Sequence, residues 1–257
     1  MSPRNEKGAG LSPRRRGGRK ARRAAHVSRA APGGRVAACD RPGGLLVIAC
    51  GALAREIRSL VRINGWEHVT LLCLPADLHL TPEKIPDAVG ATIAANRDRF
   101  DEILVAYGDC GTGGELARRC AALGARMLPG AHCYAFFSGV AAFEALEEPG
   151  AFYLTDFLVR QFDAFVWKPL GLDRHPELRE AYFGHYDRLV HLAQEDDPAL
   201  AAAAAEAAAR LGLAFERRFT GFGDLARALE AAARRTGKTG AAMPARGMAG
   251  REDEVGR

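Results

Sequence analysis

The sequence predicts an α/β fold: a mostly parallel, open, Rossmann-like sheet of alternating β/α units, with a pattern that allows two similar halves. Three observations carry this expectation. Short unbroken apolar runs, such as Leu45–Cys50 (LLVIAC) and Val69–Leu74 (VTLLCL), mark strands buried on both faces. Each is followed, after a turn, by a stretch long enough for a crossover helix. A chain of 257 residues with 48% hydrophobic content is enough for one well-packed domain.

The elements follow in order. The first strand leads through Gly51 into a helix over 52–63, which Asn64-Gly65 stops. After the second strand, residues 75–86 contain Pro75, Pro82 and Pro86 and read as a loop, with a helix from near Pro86 to about Arg97. A third strand spans 102–107 (EILVAY), then a glycine-rich turn over 108–114 and a helix to near Gly124. Residues 125–128 form a short fourth strand, 129–133 a loop, and a helix runs on through Leu146. The second half repeats the alternation less regularly. It has a strand at 151–154, a helix over 156–165, a connection through Gly171, a helix over 177–186 and a strand at 188–193. Asp197 at N-cap and Pro198 at N1 open an alanine-rich helix ending at Leu211-Gly212. A strand at 215–220 and a helix over 224–234 complete one domain over 45–236, divided into halves 45–150 and 151–236.

The net charge of +5 is unevenly spread. Residues 1–44 hold 12 of the 36 Lys/Arg and 2 of the 31 Asp/Glu, leaving the rest, with 24 basic and 29 acidic groups, mildly acidic. That composition makes nucleic acid an unexpected partner for the folded core. The Arg-, Gly- and Pro-rich segment 1–44 cannot bury enough apolar surface to offset chain entropy and is expected to be disordered, as is 237–257. The basic segment fits an arm for phosphate-rich surfaces, or a start site set upstream of the true one; as a targeting peptide it lacks the apolar core of an export signal. No window approaches the roughly 18 apolar residues of a membrane span. Six cysteines without an export signal point to reduced thiols and a cytoplasmic protein.

The chemistry-bearing residues gather by topology. Ligands of open α/β sheets bind beyond the carboxyl ends of the strands. Cys50 ends the first strand, His79 follows the second, Cys110 follows the third, and His132 and Cys133 follow the fourth, so all share one rim. Three thiolates and an imidazole are a recognised zinc set, with iron as the other metal such a set takes. The competing reading is core filler, which suits Cys73 inside a strand and Cys120 inside a helix. The turn Gly111, Thr112, Gly113 and Gly114 opens a helix and offers backbone N–H groups to an anion, though Asp109 beside it would repel a pyrophosphate. Arg174 and His175, ahead of Pro176, are candidates for an anionic substrate.

From Leu45 to about Leu229, about three quarters of its length, the chain resembles the uncharacterised family catalogued as domain of unknown function 1638. The matching stretches are ACGALAREI (49–57), NGW (64–66), CLPADLHLTPEKIP (73–86), YGDCGTGG (107–114), HCYAFFSG (132–139), FYLTDFLVRQFD (152–163), GLDRHPEL (171–178) and LVHLAQ (189–194). The resemblance implies metal-capable residues at Cys50, His79, Cys110 and Cys133. It puts His132 around the metal or at the substrate, a place for which the residues themselves also offer Asp109, Arg174 and His175. It also implies an association with corrinoid proteins and their methyltransferases, and hence with one-carbon metabolism, while carrying no activity. Two function classes follow: an enzyme in which a zinc–thiolate centre activates a thiol for methyl transfer, and a non-catalytic accessory protein that handles a metal or corrinoid for a methyltransferase. A phosphate- or nucleotide-binding module using the glycine-rich turn is the third.

Overall fold

A computed structural model describes residues 43–146 and 148–237; the two tails expected to be disordered lie outside the described residues except at their inner edges. β1 (Leu45–Cys50) passes through a single tight turn into α1 (Ala54–Ile63). β2 (Val69–Leu74), α2 (Ile85–Asn96), β3 (Glu102–Ala106), α3 (Glu115–Ala122) and the two-residue β4 (Arg126–Met127) follow. These four strands form one parallel sheet in the order β2-β1-β3-β4. The chain therefore builds outward from β1 first on one side and then on the other. The gap between the ends of β1 and β3 is the switch point at which such sheets hold ligands.

Both faces of this sheet are covered, as its unbroken apolar strands require. Leu45, Val47 and Ala49 of β1 and Leu104 of β3 face one core, with Ile57 and Leu60 of α1. Leu46, Ile48, Ile103 and Val105 face the other, with Val89 and Ile93 of α2 and Leu116 of α3. Each such aliphatic side chain contributes roughly 1.5–3 kcal/mol by leaving water. Cys73 and Cys120 pack against these cores, and burial pushes both thiols up to about 11.

The second half forms its own parallel sheet, in the order β5 (Ala151–Thr155), β6 (Arg188–Ala193), β7 (Ala214–Phe219). The alternation of β/α units is as expected, and the strands divide between two sheets at the boundary of the halves. Two expected helices differ. The one behind β4 is broken at Gly139 into α4 (Ala135–Ser138) and α5 (Val140–Glu144). The one behind β5 is the short α6 (Asp156–Arg160), after which the chain widens into a π-helical turn over Asp163–Trp167 that keeps Phe162 and Val166 in the core. The next helix, α7 (Leu178–Phe183), is shorter than expected, while α8 (Pro198–Leu211) starts at the Asp197 cap, whose carboxylate accepts from the N–H of Ala199 at 2.9 Å.

The last helix, α9 (Gly223–Gly237), departs from the division into halves. Its Leu225, Leu229 and Ala232 pack not on the second sheet but on the first, beside α1. No helix among the described residues is long and apolar enough to cross a membrane.

Candidate functional site

All four residues expected as metal ligands line one cavity of about 90 Å³ at the carboxyl rim of the first sheet, together with His132 and Tyr107. Cys50 is the last residue of β1, and His79 lies in the short helical turn Ala76–Leu80 after β2. Cys110 follows β3, and Cys133 sits in the loop between β4 and α4. The second half closes the cavity with Thr155, Phe157, Leu158 and Phe165.

The backbone brings two of the thiols together. The loops after β3 and β4 pair, with Asp109 N–H donating to Gly130 O at 2.9 Å and Cys110 N–H to Ala131 O at 2.8 Å. Cys110 pays for its position with a φ of 48°, the one left-handed non-glycine conformation among the described residues. Its Sγ then lies 3.2 Å from Cys133 Sγ, to which the Gly108 N–H donates at 3.4 Å. Gly108 is needed for this approach. A Cβ there would stand 2.8 Å from the carbonyl carbon of His132 and 3.0 Å from the Cys133 nitrogen, both backbone atoms that cannot swing aside. Gly108→Ala is expected to cost about 1–3 kcal/mol by overpacking and to pull Cys133 away from Cys110. Chemical denaturation and thiol-reagent kinetics measure both, and a variant with unchanged stability and reactivity would refute the tight fit.

The electrostatics follow from this contact. The Cys133 thiol donates to Cys110 and, with His79 behind it, holds the Cys110 thiol well below its ordinary value. The same shared proton, together with burial, pushes Cys133 up. The hydrogen bond to Cys110 raises His79. Cys50 is pushed up to about 11 by burial; the Tyr107 hydroxyl is close enough to temper this but lies outside hydrogen-bonding geometry. The site thus favours a thiolate on Cys110 beside His79, with the thiols of Cys50 and Cys133 held protonated. Among the described residues no three His, Cys, Asp or Glu side chains are already spaced for an ion. Two thiolates on one zinc stand about 3.8 Å apart, given Zn–S bonds of about 2.3 Å, so Cys110 and Cys133 would have to part slightly to share one.

The glycine-rich turn has a different occupant from the phosphate its sequence suggested. The Asp109 carboxylate accepts from the N–H groups of Gly113 at 3.1 Å and Gly114 at 2.6 Å and from Thr112 Oγ1 at 2.9 Å. Those bonds, Gly114 first, lower its pKa. The protein's own carboxylate fills the cradle formed by Gly111, Thr112, Gly113 and Gly114. Arg174 and His175 are exposed, lie near Asp173 and Glu177 at 3.8 and 3.1 Å, and do not line the cavity. His132 does line it, stacked on Tyr134 with ring centroids 4.9 Å apart.

The sequence reading missed two features. Tyr107 read as the apolar end of a strand, yet its hydroxyl is buried without a partner beside the thiols. A polar cluster at the carboxyl rim of the second sheet was also missed. His191 Nε2 meets Asp156 Oδ1 at 2.8 Å, Asp156 Oδ2 accepts from Glu195 N–H at 3.0 Å, and Asp156 N–H donates to Gln194 Oε1 at 2.8 Å. Glu56 of α1, buried and raised by that burial, borders this cluster through Arg160 and Asp156. The signal was present: Asp156 and Gln194 are each the first polar residue past the end of a strand.

A family model described as a protein of unknown function (DUF1638) matches residues 73–229. No curated protein and no solved structure matches the chain.

Proposed function

We propose that this chain, which belongs to the DUF1638 family, is a cytoplasmic protein that holds a metal ion, zinc before iron, through Cys50, His79, Cys110 and Cys133, and uses it on a small thiol. The observation that carries the reading is the convergence of three thiols and an imidazole, one from the end of β1 and three from the segments after β2, β3 and β4, on one cavity. The donor set suits zinc chemically, and the Cys110 thiolate is prepared before any ion arrives. With one of these four donors displaced, a bound ion would take a substrate thiol in the vacated position and lower its pKa, as needed for methyl transfer to sulfur. The protein's own part is to orient the donors, with Gly108 and the Ala131 carbonyl fixing Cys133 and Cys110, and to keep water out with Phe137, Phe157 and Leu158. A cavity beside the donors favours the enzyme over the accessory role, for which a closed site would serve. Any corrinoid partner would work from outside, because about 90 Å³ does not enclose a corrin ring.

A second reading rests on the 3.2 Å contact of Cys110 and Cys133: a dithiol that closes to a disulfide when a peroxide or low-molecular-weight disulfide takes its two electrons and two protons. Metal analysis of the reduced, purified protein separates the two. The expected result is equimolar zinc whose affinity falls as pH drops. Cys50 is protonated at neutral pH, and His79 gains a proton more readily than a free imidazole, so binding must expel protons and acid opposes it. Metal-free protein that also refuses added zinc, with Cys110 and Cys133 readily oxidised, would leave the dithiol reading in its place.

A further inference from the structure

A residue that lines the cavity carries a buried polar atom with no hydrogen-bond partner among the described residues. Tyr107 is 1% exposed, its hydroxyl has no hydrogen-bond partner among the described residues, and it lines the cavity amid the thiols of Cys50, Cys110 and Cys133. A buried hydroxyl is seldom left unpaired, so one on a residue that lines a cavity marks where a ligand can supply the acceptor. The walls around it are apolar, formed by Leu53, Leu78, Ile85, Phe137, Phe157 and Leu158. Among the described residues no Lys or Arg lines the space, and the charge of a bound ion or of His79 is already matched by the cysteine thiolates, so an anionic group that entered would lose its water without an unmatched cation to meet. Size narrows the ligand further. A dry cavity of about 150 Å³ accepts benzene, so 90 Å³ encloses roughly four heavy atoms.

Building on the reading above, we infer that the cavity is the pocket of a short, uncharged alkyl thiol, whose sulfur takes a hydrogen bond from Tyr107 Oη and whose carbon chain lies on Phe157 and Leu158. The second half of the protein then selects the substrate by its apolar body, while the first half holds the reacting sulfur. Longer chains are excluded by volume, and acidic thiols by the lack of an unmatched cation.

Calorimetric titration of the full-length reduced protein with propane-1-thiol, under anaerobic conditions and with metal content measured alongside, tests this. Saturable binding is expected, with mercaptoacetate at least tenfold weaker. Tyr107→Phe is expected to weaken propane-1-thiol about fivefold without loss of metal, and Leu158→Trp, which fills the cavity, to abolish binding. Should Tyr107→Phe not fold, the Leu158→Trp variant and the comparison of the two thiols decide the matter. Mercaptoacetate binding as well as propane-1-thiol, or Tyr107→Phe or Leu158→Trp binding like the wild type, would overturn the inference while leaving the metal reading intact. The same ligand ranking in a protein that holds no metal would sink the metal reading and spare the pocket.

Discussion

Cys110→Ser is expected to lose most of the bound metal and, with it, the response of the melting temperature to a chelator. Cys110 sits where the paired loops after β3 and β4 meet, in contact with Cys133 and hydrogen-bonded to His79. A serine hydroxyl at that point is neither a thiolate nor a soft donor, and it leaves a three-donor shell. An ion bound only by the native state stabilises it by about 4 kcal/mol when present at a thousand times its dissociation constant. For a protein of this size that is about 10 °C in melting temperature. Wild-type protein should therefore melt about that much lower in chelator, and the variant should scarcely respond. Cys120, buried in α3 and not among the residues that line the cavity, is the control whose replacement leaves the metal in place. Elemental analysis and thermal melts of the three proteins give the answer. A Cys110→Ser protein with full metal and the wild-type chelator response would mean that these thiols are not a metal site.

The second large effect is expected at the other rim. Asp156 is 0% exposed and His191 1%, and their 2.8 Å bond is buried between α6 and β6. Asp156→Ala removes the acceptor of His191 Nε2 while Nδ1 is already unpartnered, and it orphans the Glu195 N–H. Breaking a buried pair by deleting one member costs about 3–5 kcal/mol, a large share of a domain's stability. Asp156→Asn keeps the shape and one acceptor and should lose less. Urea denaturation followed by tryptophan fluorescence measures both. A loss for Asp156→Ala of under about 1 kcal/mol would show that water takes over the bonds at little cost. Because α6 carries Phe157 and Leu158 to the cavity, the damage should also reach the site.

These two rims differ in how much of them the sequence shows. Cys50, Cys110 and Cys133 could be assigned to one edge because parallel strands all point the same way, and each follows an apolar run with clear ends. Nothing comparable marks Glu56. On a helix whose neighbours Arg55 and Arg58 are solvent-facing charges it reads as one more exposed residue, and only packing against residues about a hundred positions later buries it. His191 lies in a strand whose alternation says that it is buried but not what it meets. The Asp109 carboxylate was visible beside the glycine-rich turn as a repeller of phosphate; that it folds back to occupy the amides depends on backbone angles that a residue string does not carry. The break at Gly139 and the wide turn at Asp163–Trp167 are of the same kind, since local periodicity continues through both while tertiary packing does not.

The return of α9 to the first sheet has a consequence for synthesis. Val47, Ala49 and Leu104 share their core with Leu225, Leu229 and Ala232, which leave the ribosome more than a hundred residues after the strands they cover. Until then one face of the earliest-made sheet lacks part of its roof, and the second half must form, or at least be traversed, before the first is sealed. Sealing of the first sheet is thereby tied to the synthesis of α9, and a nascent chain stalled before α9 presents an apolar surface of the kind that chaperones recognise.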